Sequence, residues 1–141
     1  MNLLIPLLLL AIATVYDLRS RTIPDWIAVV LLVWSLAGTL AGFEGASWSN
    51  LALGLLVGFG LGAGLFWLGA LGGGDAKLIA ALGAALGPMG LASVLFWMAI
   101  VGGLLALVAK WRGRQDLAYV PAIAAGLLIY SIRTGEWTRM L

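Results

Sequence analysis

The sequence predicts an all-α fold, a polytopic bundle of about six membrane-crossing helices. Three observations carry that prediction. First, 63% of the 141 residues are hydrophobic and 10% charged, whereas soluble domains run at roughly 45–50% apolar and roughly 25% charged. A water-soluble domain this small keeps too much surface exposed to hide the excess. Second, the apolar residues fall into stretches close to the ~20 residues that cross a ~30 Å hydrocarbon core. Third, most of the few charged residues collect between those stretches. The chain has no cysteine and no histidine, which removes disulfides, thiol nucleophiles, the usual zinc ligands and a Ser-His-Asp triad. A net charge of +2 without a dense basic run gives no sign of nucleic-acid binding.

The first helix is expected at about 2–18. Ala11-Ile12-Ala13 has the small-residue pattern of a signal-peptidase site, but no Lys or Arg precedes the apolar stretch, so this helix is expected to stay. The second is expected at about 24–42, where Thr22 and Asp25 fit a capping box with Pro24 in the first turn. That gives Asp25 a structural role, and its amide variant is expected to cost mainly stability. The third, about 50–71, carries Gly54, Gly58 and Gly62 four apart, with Gly60 and Gly64 repeating the spacing; such faces let helix backbones approach closely in lipid. Its Gly58-Phe59-Gly60-Leu61-Gly62 run has the look of a dinucleotide loop, yet no strand precedes it. A short fourth helix, about 75–88, is expected to end at Gly87-Pro88, followed by a fifth at about 90–109 and a sixth at about 118–133. No repeat, linker or composition shift divides the chain, so residues 1–141 read as one membrane-embedded domain.

Charge sets the expected orientation. Arg19, Arg21, Lys77, Lys110, Arg112 and Arg114 all fall on one side of a six-helix chain. The other side has Glu44 and a tail with Arg133, Glu136 and Arg139. The positive-inside rule then puts both termini outside. Trp26 and Trp111 are expected near the inner interface, Trp48 and Trp137 near the outer one.

Two constellations can carry chemistry. One is Tyr16-Asp17-Leu18-Arg19-Ser20-Arg21-Thr22-Ile23-Pro24-Asp25, with Asp17 at the end of the first helix. The other is Gly72-Gly73-Gly74-Asp75-Ala76-Lys77. Its glycines permit close approach and unusual backbone angles, and its plainest reading makes Asp75 an N-cap. A phosphate loop is disfavoured, since no Gly-Lys-Ser/Thr ending follows. Acids at membrane depth are costly and point to function. Six helices put Asp17 and Asp75 on one side, where two carboxylates sharing a site hold one proton between them. This is the aspartic-protease arrangement: one carboxylate takes a proton from water and the other polarises a carbonyl. Helix polarity assigns Asp75 as the base and Asp17 as the proton holder, with the pair titrating as a unit.

Asp17 with Arg21-Thr22-Ile23-Pro24-Asp25, followed by Gly72-Gly73-Gly74-Asp75-Ala76-Lys77, resembles the two signatures of the type IV prepilin peptidases, the GxGD aspartic proteases. Tyr119-Val120-Pro121-Ala122-Ile123-Ala124-Ala125-Gly126 is also similar to the opening of that family's last helix, so the resemblance spans nearly the whole chain. It implies removal of a short basic leader from prepilin-like substrates at the cytoplasmic face of the bacterial inner membrane, without metal or cofactor. By the same resemblance Asp17 and Asp75 are the catalytic pair, and Gly72, Gly73, Gly74 and Lys77 form the supporting loop. Expected partners are the prepilin-like substrate and membrane lipids. The chain departs from larger members in opening on its first helix and lacking their paired cysteines. Those members also methylate the new N-terminus. The chain is more similar to the short form associated with Flp/Tad-type pili, with an archaeal preflagellin-type substrate as an alternative.

Two rivals come from other classes. Short broken helices with an acid at the break also occur in proton- or ion-coupled transporters, though no matching broken pair is seen in the two halves of this chain. A non-catalytic subunit of a pilus or secretion machine is the other.

Overall fold

A computed structural model describes residues 3–20, 22–43, 46–111 and 120–135, with Ala109 and Lys110 as backbone alone. Among the described residues the fold is all-helical: α1 (Leu4–Ser20), α2 (Asp25–Leu40), α3 (Trp48–Trp67), α4 (Gly73–Trp111) and α5 (Val120–Arg133). Arg21, Glu44, Arg112, Arg114, Tyr119, Glu136, Trp137 and Arg139, on which part of the charge and interface reading rests, lie outside the described residues.

The expected fourth and fifth helices form one element, α4, broken at Gly87 (φ 70°, ψ 175°). The break has two local causes. A residue before proline avoids the helical region, and a positive φ suits a residue without Cβ. A side chain here would also press on Asn50, whose Cβ lies 3.3 Å from the position a Cβ would take. Past the break the chain turns back. Leu91 Cδ2 comes within 3.2 Å of where a Cβ on Gly83 would sit, whereas eight residues of straight helix span about 12 Å. The first half of α4 runs beside α3, and the second half runs beside α5, with Gly126 against the Val94 carbonyl and Gly102 against Ala122.

The largest interface is α3 on α4. Gly54, Gly58 and Gly62 are the buried residues of α3. A Cβ on Gly58 would sit 2.7 Å from Ile79 O, one on Gly62 2.6 Å from Ala76 O, and one on Gly54 would overlap the Gly83 carbonyl. The second glycine spacing does not pack, since Gly60 and Gly64 face open space. Four residues is slightly more than one turn, so one face of the helix can carry a single close-packed row.

Elsewhere the ends shift from their expected places for local reasons. α3 stops at Trp67 because Gly69 (φ 69°) closes it, with Gly69 N–H donating to Phe66 O and Ala70 N–H to Leu65 O. The capping box of α2 does not form. Pro24 is extended, the helix begins at Asp25, and no side chain caps it; Thr22 Oγ1 donates to Ser20 Oγ at 3.1 Å instead.

The core joins Leu10, Leu31, Leu78, Leu82, Leu91 and Ile123, each fully buried and drawn from α1, α2, α4 and α5. Outside, the surface is as apolar as the interior, with Leu8, Val33, Leu56, Phe59 and Phe96 all exposed. Patches on that scale are not left in water. α3 and α4 are long and apolar enough to cross a membrane, and the chain is a membrane protein. Trp26 and Trp111 are exposed at one end of the bundle and Trp48 at the other.

The glycine row makes a sharp prediction. Gly58→Ala should cost about 1–3 kcal/mol by overpacking, while Gly60→Ala should stay within about 0.5 kcal/mol of wild type. Thermal unfolding of the detergent-solubilised protein checks both, and equal effects would mean that the wrong face of α3 has been assigned to α4.

Candidate active site

α1 buries a stripe of Pro6, Leu9, Leu10 and Ala13, and Asp17 takes the next place on it. The spacing alone turns this carboxylate inward. In α4 the buried stripe Leu78, Ile79 and Leu82 extends back one turn to Asp75. Both aspartates are therefore buried, each at 8% exposure, where a polar group needs partners to offset lost water.

Their partners are backbone N–H groups. Asp17 Oδ2 accepts from Val120 N–H at 3.2 Å. Val120 opens α5, and Pro121 beside it has no N–H to offer; the carboxylate thus caps a helix that begins 103 residues later. Asp75 Oδ2 accepts from Gly72 N–H at 3.3 Å. Because α4 starts at Gly73, Asp75 is not an N-cap, as its plainest reading had it. It stands at the third helical position and reaches back to the residue before the helix, which is half of a capping box. Its other oxygen, Oδ1, is buried and has no hydrogen-bond partner among the described residues. The two carboxylates lie near enough for a charge on one to act on the other.

This geometry removes the polarity argument that set the two acids apart. Asp17 lies in the last turn of α1, but it also faces the positive end of α5, as Asp75 faces the positive end of α4. Helix polarity does not say which of them carries the proton.

Of the three glycines of the second constellation, Gly74 is the one that packing requires. None of Gly72, Gly73 and Gly74 has a positive φ. A Cβ on Gly74 would sit 2.9 Å from Ile23 Cβ and 3.4 Å from its carbonyl oxygen, so the start of α4 is seated directly on the segment between α1 and α2. Gly72 is placed so that a Cβ would meet Asp75 Oδ2 at 3.4 Å. Lys77 does not reach the aspartates: its Nζ pairs with Asp25 Oδ2 at 2.7 Å. Asp25 was read from sequence as a helix cap, and only tertiary contact reveals this partner 52 residues away. The pair lies at the rim of an apolar groove of about 300 Å³ between α2, α3 and α4, lined also by Ala28, Leu32, Phe59 and Ala81. Neither Asp17 nor Asp75 lines it.

Comparison with known proteins places the chain. A model of the type IV leader peptidase family matches residues 4–107. The chain is similar to a Bacillus subtilis protein named prepilin leader peptidase/N-methyltransferase, at 35% identity over 86% of this chain and 51% of that protein. It is similar to a protein of the same name from Burkholderia pseudomallei, at 35% identity over 84% of this chain and 41% of that one. A Pectobacterium carotovorum protein, also so named, is 33% identical over 94% of this chain and 51% of its own length. The chain thus spans about half the length of the curated relatives it matches. No solved structure matches it. The match of the family model over most of the sequence shows that this chain belongs to the type IV leader peptidase family.

Proposed function

We propose that this protein is an aspartic endopeptidase that removes the leader from prepilin-like precursors at the cytoplasmic face of the bacterial inner membrane, with Asp17 and Asp75 as its catalytic pair. The observation that carries the reading is that two different helices each bury one carboxylate, Asp17 and Asp75, at the same end of an apolar bundle. The names of the curated relatives support the substrate class.

The reaction needs only what the pair offers. The ionised carboxylate takes a proton from a water molecule as its oxygen attacks the scissile carbonyl carbon, while the protonated carboxyl donates a hydrogen bond to the carbonyl oxygen. As the C–N bond breaks, the departing amine takes up a proton from the pair. Asp75 Oδ1, which no protein group occupies among the described residues, is suited to hold that water. Nothing in the pair supplies a methyl group, so the peptidase half of the relatives' names is the half proposed.

Topology follows the same logic. With α4 folding back at Gly87, the five described helices make six passes in this reading, with the start of α1 and the end of α5 on the outer side. Arg19 and Lys77 stand at the end that holds the aspartates, as the positive-inside rule requires of a cytoplasmic end.

The test is cleavage of a prepilin-like substrate by the purified protein in lipid, read by mass as one defined N-terminal truncation. Asp17→Asn and Asp75→Asn each keep an oxygen that accepts the Val120 or Gly72 N–H, so the fold should persist while the rate falls by at least about 10²-fold. Retained cleavage in either folded variant contradicts the dyad, and ion flux without any cleavage favours a transporter.

A further inference from the structure

The helices that carry the two aspartates do not hold each other. α1 packs on α5 and α2, α4 packs on α3, α5 and α2, and α1 and α4 share no extended contact among the described residues. The distance between Asp17 and Asp75 is therefore relayed through other elements. On one side the relay is α5, whose first N–H is bound by Asp17. On the other it is the start of α2, where two contacts fall within two residues of Asp75. Gly74 is seated on Ile23, and Lys77 Nζ meets Asp25 Oδ2 at 2.7 Å. Asp25 is joined to Asp17 by eight residues of chain and Lys77 to Asp75 by two. The ion pair thus completes a short path from one acid to the other.

From this we infer that Asp25 and Lys77 form a positioning pair, an interhelical clasp that fixes the first turn of α4 so that Asp75 faces Asp17. The inference rests on the functional reading given above. Lys77 acts through α4 and not on the reacting atoms, because residues two apart on a helix point to different faces. Its side chain and that of Asp25 are 57% and 66% exposed, and an exposed pair contributes little to global stability. What it can set is register. The start of α4 has glycines at 72–74 in place of larger side chains; Gly62 holds it to α3 at Ala76, and among the described residues the seat on Ile23 and the ion pair hold it to the segment that opens α2. Misplacing a catalytic group by about 1 Å can cost on the order of 10²-fold in rate. A weak bond can therefore have a large catalytic effect and a small thermodynamic one.

The experiment compares wild type, Asp25→Asn, Lys77→Met, Lys77→Arg and the charge swap Asp25→Lys with Lys77→Asp, all in lipid with one prepilin-like substrate. Each neutralising variant should lower kcat on the order of ten-fold, leave KM within about two-fold and leave the thermal transition in place. Lys77→Arg and the swap should recover most of kcat. Unchanged kcat in the single variants overturns the inference, as does a swap no more active than the singles or a loss confined to KM. Amide exchange without substrate is read in parallel. Gly74 and Asp75 should exchange faster in Lys77→Met and recover in the swap, while Gly58 and Leu82 stay protected; equal exchange at Gly74 and Asp75 also overturns it. A wild-type protein that cuts no prepilin-like substrate defeats the functional reading alone, and the exchange arm still decides the clasp.

Discussion

The burial of two carboxylates in an apolar bundle is the constraint to which the rest of this structure answers. Water is withdrawn from both Asp17 and Asp75, and a buried acid without compensation is among the costlier things a fold can contain. The compensation here is modest and local. Among the described residues each acid receives one backbone N–H, from Val120 and from Gly72, and each faces the start of a helix. Among the described residues neither forms an ion pair: Lys77, two residues from Asp75, is bound to Asp25. The proposed hydrolysis needs one proton held between the two acids.

Holding such a pair together is a packing problem. Lipid gives helices no hydrophobic reason to associate, so close van der Waals contact must serve. The row Gly54, Gly58 and Gly62 brings α3 onto the backbone of α4, and Gly126 brings α5 onto its second half. The turn at Gly87 then lets a single element contact both α3 and α5. Asp75 gains a rigid base, and its own first turn is seated on Ile23 through Gly74. Asp17, in contrast, is fixed by the stripe of α1 and by the helix it caps.

Much of this was legible in the sequence because it depends on spacing. The apolar stretches located every helix, and Gly87-Pro88 located the turn of α4. The aspartates stand out as acids beside apolar runs, and their places on the buried stripes follow from helical period. The features that stayed hidden depend on partners far along the chain. Thr22 and Asp25 match a capping box letter by letter, yet the extended Pro24 starts the helix too late for it, and Lys77 claims the carboxylate. Nothing in the local pattern distinguished Gly60 from Gly58, since which row packs is decided by where α4 lies. The polarity argument for Asp17 failed in the same way: it counted the helix that bears the residue and could not count α5, whose start the residue caps.

The central claim is spatial, that Asp17 and Asp75 meet at one end of the bundle. The chain has no cysteine, so Asp17→Cys with Asp75→Cys places the only two thiols in the molecule at the two positions in question. Exposed to a mild oxidant or a short bis-thiol reagent in lipid, this variant should join the two positions within one chain, while Asp17→Cys with Asn50→Cys, at the far end of α3, should not. Thiols at 17 and 75 that stay free, or that link only between molecules, would contradict the account at its root.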